Sequence, residues 1–344
     1  MSETVDVVPA TRRGLFSGRR EKEQLYLPSK DLLGLKYLNQ AELNLIMDTT
    51  EIMKQALLGG HKKIAWLQGK SVIILFYENS TRTKISFELA AKYTGAVTST
   101  VSTVSSSERK GETLYDTART LDAMEVDFII IRHDQSGVPH FLSKQVQASI
   151  INAGDGMDEH PTQALLDMFT MREHFDSLDG LEVAIVGDVS FSRVARSNII
   201  GLTKMGARIR LAGPRQQLPE GIERLGNVTV MRDRREACAG AQVIMALRPQ
   251  LERQNRSLFP STGEYARFFS VDASMLALAA PNAIIMHPGP ANRGVEITSE
   301  MHDCSASVIE EQVTNGIAVR MAILYLLNIR RNAQKSGIIG GGEV

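Results

Sequence analysis

Cysteine is scarce in this sequence: Cys238 and Cys304 are the only two in 344 residues. That excludes a disulfide framework, and no Cys-x-x-Cys or Cys/His spacing suited to a metal accompanies them. Long apolar runs are missing too. Stretches such as Val72–Phe76 fall far short of the ~18 apolar residues that a membrane helix needs. No apolar signal segment stands at the N-terminus, and the early arginines (Arg12, Arg13, Arg19, Arg20) are interleaved with Glu21 and Glu23, unlike a transit peptide. The expectation is a cytoplasmic protein. Net charge is also absent, since 39 basic residues balance 39 acidic ones. The chain therefore offers no bulk field for nucleic acid or for an anionic membrane, and any anion must be met by locally placed cations.

Several signatures of chemistry are wanting as well. There is no GxxxxGK[ST] loop for a nucleotide, no GxGxxG for a dinucleotide, no HExxH for zinc and no GxSxG nucleophile elbow. No metal, cofactor or covalent nucleophile is expected.

What the sequence does contain is an ordinary globular balance, 43% hydrophobic residues over a length that suits about two domains. Residues 1–28 are polar and weakly patterned, an extension. Apolar residues at helical spacing predict a helix over 41–57, stopped by Gly59-Gly60. Strand and helix patterns then alternate: strands over 71–78, 96–101, 127–132 and 149–154, helices over 83–93, 112–124 and 160–175. The rhythm resumes with strands over 181–188, 208–213, 228–233, 242–248 and 283–290, a helix over 195–206, and a last apolar helix over 307–327. Strands alternating with helices imply parallel sheets covered on both faces. The predicted fold class is α/β, with two doubly wound, Rossmann-like lobes and a C-terminal helix returning to the first. The expected division is an extension over 1–28, a first domain over 29–165 joined by helix 307–330, and a second domain over 166–306.

Open parallel sheets bind ligands beyond the carboxyl ends of their strands, and here those ends are rich in cations and hydroxyls. Strand 71–78 runs through Glu78 and Asn79 into Ser80-Thr81-Arg82-Thr83 at a helix start. Unpaired N–H groups, hydroxyls and a guanidinium fork together make a phosphate cradle without glycines. Arg132 closes strand 127–132. His160 and Gln163, at i and i+3 of a helix start, offer two neutral donors to one carbonyl-type oxygen. Arg193 follows the strand end at Asp188, Arg248 closes another strand, and Gln250 stands two residues on. Lys110 lies in the polar loop 105–113. The Gly289-Pro290 turn of MHPGPANRG is a candidate cis bond that aims carbonyls at a ligand. A site so rich in donors and cations works by orientation and electrostatic stabilisation.

Together the Ser80-Thr81-Arg82-Thr83 run, the His160-Pro161-Thr162-Gln163 motif and the His287-Pro288-Gly289-Pro290 turn resemble the aspartate/ornithine carbamoyltransferase family, in its order and spacing over about residues 29–330. Arg248-Pro249-Gln250-Leu251-Glu252-Arg253 and HPGPANRGVEI resemble the aspartate-specific branch. The Ser-Met-Gly and His-Cys-Leu-Pro motifs of the ornithine branch are not in the corresponding places. Lys84 stands where many relatives carry a second arginine, which preserves the charge.

The resemblance implies that carbamoyl phosphate and L-aspartate give N-carbamoyl-L-aspartate and phosphate, the committed step of pyrimidine synthesis. It implies that Ser80, Thr81, Arg82 and Thr83 bind the phosphate. Thr83, Arg132 and His160 would polarise the carbamoyl oxygen, and Gln163 would hold the carbamoyl amide. Arg193, Arg248 and Gln250 would take the aspartate carboxylates, and the backbone at Gly289 and Pro290 would orient the amine. Ser106 and Lys110 would enter from a neighbouring subunit of a homotrimer with shared sites. Regulatory or dihydroorotase-type partner chains are known in the family, and ornithine is the alternative acceptor.

Overall fold

The computed structural model describes residues 26–339 apart from 61, 63, 103–112 and 251–260. Most of the expected extension, with Ser106, Lys110 and the stretch Leu251–Arg253, lies outside the described residues.

Asn39 starts the first long helix, α1 (Gln40–Leu58), through a capping box. Its side chain accepts from the Glu42 N–H at 3.0 Å, while the Glu42 carboxylate accepts from the Asn39 N–H at 2.7 Å. The first sheet then builds as β1 (Ser71–Phe76), α2 (Thr81–Tyr93), β2 (Val97–Ser102), α3 (Leu114–Ala123), β3 (Phe128–His133), α4 (Val138–Ser143), β4 (Ser149–Asp155) and α5 (Pro161–Phe175). All four strands are parallel, in the order β2-β1-β3-β4.

A second parallel sheet, ordered β7-β6-β5-β8-β9, follows from β5 (Glu182–Val186), α6 (Arg193–Lys204), β6 (Arg208–Ala212), β7 (Val228–Val230), α7 (Arg234–Cys238), β8 (Val243–Ala246), α8 (Thr262–Phe269), α9 (Ala273–Leu276) and β9 (Ile284–Met286). Two helices close the chain, α10 (Ser299–Asp303) and α11 (Ile309–Lys335).

The strands are apolar on both faces because both faces are covered. Val72, Ile74 and Phe76 of β1 join one core, whereas Ile73 and Leu75 join another with Ile129 and Ile131. The larger core is continuous between the lobes, running from Leu43 of α1 through Leu165 and Phe169 of α5 to Ile199 and Leu202 of α6. The far face of the second sheet has its own cluster around Val186, Ile244 and Ile285.

Several strands stop short of the expected spans: β1 at Phe76, β8 at Ala246, β9 at Met286 and β7 at Val230. The polar residues beyond the first three leave the ladder to turn into the space between the lobes. The last helix also differs. It begins at Ile309 rather than at 307 and runs on to Lys335, and from Ala318 to Leu324 every residue is buried. Over that stretch it is wrapped on all sides, because α1, α2 and α5 of the first lobe pack around it.

Candidate active site

A cavity of about 1000 Å³ opens between the carboxyl ends of the two sheets. It is lined from the first lobe by Ser80, Thr81, Arg82, Thr83, Arg132, His160 and Gln163. The second lobe adds Arg193, Arg248, Gln250, Gly289 and Pro290. Every described residue singled out by the sequence thus reaches one space. Among the described lining residues are five arginines (Arg82, Arg132, Arg193, Arg248, Arg320) and two carboxylates (Glu78, Asp134). A chain of zero net charge has concentrated cations at one place, as an anion site requires.

At the start of α2 the Ser80 side chain makes no capping bond, so its hydroxyl is not spent on the helix. Arg82 lies exposed in the open cleft. Partial desolvation, and after it the nearby Arg248 guanidinium, lower its pKa. Two like charges from different lobes face one space, an arrangement that a bound polyanion relieves. Gly289 follows a tight approach to the same group. The Gly289–Pro290 bond is cis and Gly289 has φ +66°. A Cβ there would sit 1.9 Å from Arg82 Nη1 and would displace the guanidinium, and the positive φ itself favours glycine.

Glu78 ties the lobes together. Its Oε2 lies 3.0 Å from Arg132 Nε of the first lobe and pairs also with Arg193 Nη2 of the second. Arg132 further donates to the Ala153 carbonyl at 3.1 Å, and Arg193, 2% exposed, to the carbonyls of His133 and Gly156 at 3.4 and 3.3 Å. The two guanidiniums pass over Gly154 (φ +118°), where a Cβ would lie 2.9 Å from Arg193 Nε and 3.2 Å from Arg132 Nη1. Gln250 is folded onto its neighbour: its Oε1 accepts from Arg248 Nη2 at 3.3 Å, and its backbone N–H donates to the buried Asp188 at 3.0 Å.

His160 caps α5 from a buried position, with its N–H donating to Ser197 Oγ at 2.9 Å. Ser197 in turn donates to Glu159 Oε2 at 3.0 Å, which also accepts the Leu35 N–H at 2.7 Å. Burial raises the Glu159 pKa against these bonds. Gln163 departs from the expected role of a second donor. Its Nε2 donates to Asp167 Oδ1 at 2.9 Å. The amide nitrogen is held inward by a buried carboxylate, which leaves the carbonyl, an acceptor, as the other end of the amide in a residue that lines the cavity.

His287 and Glu296 fix the β9 turn. Gly289 N–H donates to His287 Nδ1 at 2.7 Å, which leaves the ring proton on Nε2, 3.1 Å from Glu296 Oε1. Burial lowers the His287 pKa, opposed by Glu296. The sequence shows no carboxylate cluster with metal spacing. The described residues contain one, His140, Asp155 and Asp158, with ligand atoms within 4.8 Å of one another. It lies outside the cavity lining, and Lys36 Nζ is on Asp158 at 3.1 Å.

Two family models match in tandem. The carbamoyl-P binding domain of aspartate/ornithine carbamoyltransferase covers residues 30–173, and the Asp/Orn binding domain covers residues 179–327. This chain belongs to the aspartate/ornithine carbamoyltransferase family. Among its relatives in the family, the aspartate carbamoyltransferase catalytic subunit of Ruminiclostridium cellulolyticum is 58% identical over 304 residues, 88% of this chain and 97% of that one. The catalytic subunit of the same name from Acetivibrio thermocellus is 56% identical over 310 residues, 90% and 99% of the two chains. Aspartate transcarbamoylase from Trypanosoma cruzi in complex with N-(phosphonacetyl)-L-aspartic acid superimposes with TM-score 0.80 at 28% identity, covering 86% of this chain and 95% of that one. Ornithine carbamoyltransferase from Pyrococcus furiosus does so with TM-score 0.79 at 30% identity, over 88% and 98%. The fold is thus common to both branches of the family.

Proposed function

We propose that the chain is an aspartate carbamoyltransferase catalytic subunit, which moves the carbamoyl group of carbamoyl phosphate to the amine of L-aspartate. The observation that carries this reading is the meeting of the α2 start, Arg132, His160 and Gln163 with Arg193 and Arg248 in one cavity between the lobes. Fold similarity does not choose between acceptors, as aspartate and ornithine enzymes superimpose almost equally. Sequence does. The relatives at 54–58% identity are aspartate enzymes, and ornithine would bring a second amine where the second lobe offers guanidiniums.

In this reading the phosphate sits at the N-terminus of α2, on Ser80, Thr81, Arg82 and Thr83, where N–H groups and the helix dipole favour an anion. Thr83, Arg132 and His160 donate to the carbamoyl oxygen, and Gln163 accepts from the carbamoyl NH2. Arg193, Arg248 and Gln250 hold the two carboxylates of aspartate, with the Gly289–Pro290 backbone beside the amine. The neutral amine attacks the carbamoyl carbon. Negative charge grows on the carbamoyl oxygen as the C–N bond forms, and donors fixed around it lower that barrier. The C–O bond to phosphate then breaks, and the departing phosphate, held by cations, takes the proton that the amine gives up and leaves as the hydrogen phosphate dianion. The rate therefore rises with pH until the amine is deprotonated.

Ser106 and Lys110 are proposed to complete each site from a neighbouring subunit of a homotrimer. Mixing inactive Lys110→Ala and His160→Ala proteins under subunit exchange then restores activity, whereas sites built from one chain stay inactive. The relatives' designation as catalytic subunits supports a place for regulatory partner chains, whereas a dihydroorotase-type partner rests on the family resemblance alone. The acceptor is tested by measuring carbamoyl transfer to aspartate and to ornithine. Aspartate is expected to exceed ornithine at least a hundredfold in kcat/KM, and a preference for ornithine refutes the reading.

A further inference from the structure

Beneath the cavity floor, Asp167 is the hub of a buried amide cluster that joins three helices. Its Oδ1 accepts from Gln163 Nε2 of α5 at 2.9 Å and from Gln312 Nε2 of α11 at 2.7 Å. Its Oδ2 accepts from Asn198 Nδ2 of α6 at 2.8 Å. Gln312 passes the restraint on, since its Oε1 accepts the His287 N–H at 3.0 Å at the head of the Gly289–Pro290 turn. Asn198 and Gln312 are buried, and Asp167 is fully so. The charged group facing this cluster is the buried Arg320 guanidinium, which bonds Ser86 Oγ at 2.9 Å and the Gly316 carbonyl at 2.8 Å and stacks over Phe87.

An ionised carboxylate only accepts hydrogen bonds, so each of these amides must turn its NH2 toward Asp167. For Gln163 that choice has a consequence at the cavity, because the other vertex of its amide is the carbonyl. No described group donates to that oxygen, and Gln163 lines the cavity. An acceptor that a bound ligand closes over and leaves unpaired makes the site reject an isostere that lacks the donor.

We propose that Asp167 is a positioning residue that sets substrate specificity: it locks the Gln163 amide with its carbonyl toward the cavity, so that the site selects the NH2 of a carbamoyl group over the CH3 of an isosteric acetyl group. The proposal rests on the placement of the carbamoyl amide at Gln163 given above. Asp167 touches no substrate, and its effect passes through Gln163.

Carbamoyl phosphate and acetyl phosphate share their phosphate and carbonyl and differ by NH2 against CH3. The ratio of their dissociation constants therefore isolates the amide contact from the rest of the site. It is measured by calorimetry on the intact protein for wild type, Asp167→Ala, Gln163→Ala and the double variant. Asp167→Ala is expected to weaken carbamoyl phosphate about tenfold while leaving acetyl phosphate within about twofold. In the Gln163→Ala background the same substitution shifts the ratio less than twofold, because the group it acts through is gone. Asp167→Asn keeps a carbonyl toward Gln163 and restores the preference to within about threefold of wild type.

Equal weakening of both ligands by Asp167→Ala, or an unchanged shift in the Gln163→Ala background, overturns the proposal in favour of plain packing. If the alanine variant does not fold, a crystal structure of wild type with phosphonoacetamide decides. The proposal requires the Gln163 amide to lie within hydrogen-bond reach of the ligand nitrogen, and a contact to the ligand carbonyl oxygen instead refutes it. A wild-type protein that binds neither phosphate, nor transfers a carbamoyl group to aspartate, sinks the assigned function itself. A working enzyme whose ratio does not move sinks only the role of Asp167.

Discussion

At the scale of single residues, the groups that announce themselves in the sequence are those whose chemistry is unusual for their place: an arginine inside a hydroxyl cap, a histidine at a helix start, an arginine closing an apolar strand. Arg82, Arg132 and His160 were legible for that reason. Glu78, Glu159, Asp167 and Ser197 were not, because a carboxylate or a serine beside a motif has no meaning until its partner from another element is known. Asp167 did leave a signal, four residues after Gln163 and hence on the same helix face. The expectation from spacing that Gln163 donates to a carbonyl-type oxygen failed for the same reason, as the orientation of its amide is decided by that partner. Gly289 offers a test at this scale. In Gly289→Ala the new Cβ meets the Arg82 guanidinium and the backbone must hold φ +66°, a conformation that costs a non-glycine residue about 1–2 kcal/mol. Carbamoyl phosphate KM is expected to rise about tenfold or more, with loss of roughly 1 kcal/mol in urea unfolding. An unchanged KM would mean that Arg82 does not hold the phosphate.

Among the elements, types and order followed from periodicity and from the switch between two-residue and helical spacing, while ends did not. Strand ends at the cleft bend away from the ladder to deliver side chains. The burial of α11 on all sides between Ala318 and Leu324 depends on three helices distant in sequence. That packing also buries Asp167, and burial raises its pKa from 3.8 to about 6. The folded state then holds this proton more tightly than the unfolded chain does. Its contribution to stability is fully present below about pH 4 and lost as pH rises through about 6, a difference of roughly 3 kcal/mol. At neutral pH the fold thus gives up stability to keep an ionised carboxylate under the site. Denaturant titrations of wild type and Asp167→Asn at fixed protein concentration check this. The wild-type unfolding free energy is expected to fall by about that amount relative to the variant between pH 4 and pH 7. Parallel curves would mean that Asp167 does not titrate in this range.

For the molecule as a whole, a charge-neutral chain gathers guanidiniums from two sheets into one cleft, and Glu78 spans it by pairing with Arg132 and Arg193. The α/β class with two parallel-sheet lobes was legible in the sequence, whereas the strand orders were not. The continuous core joining them through α5 and α6 was not, since no local pattern tells which apolar faces meet. The central claim is that both substrates occupy that cleft together, phosphate on the first lobe and dicarboxylate on the second. N-(phosphonacetyl)-L-aspartate combines the two in one molecule, and calorimetric titration of wild type, Arg82→Ala and Arg248→Ala with it is the most direct test. One site per chain is expected, with each substitution weakening binding at least a hundredfold. Unaltered affinity in either variant would contradict the account.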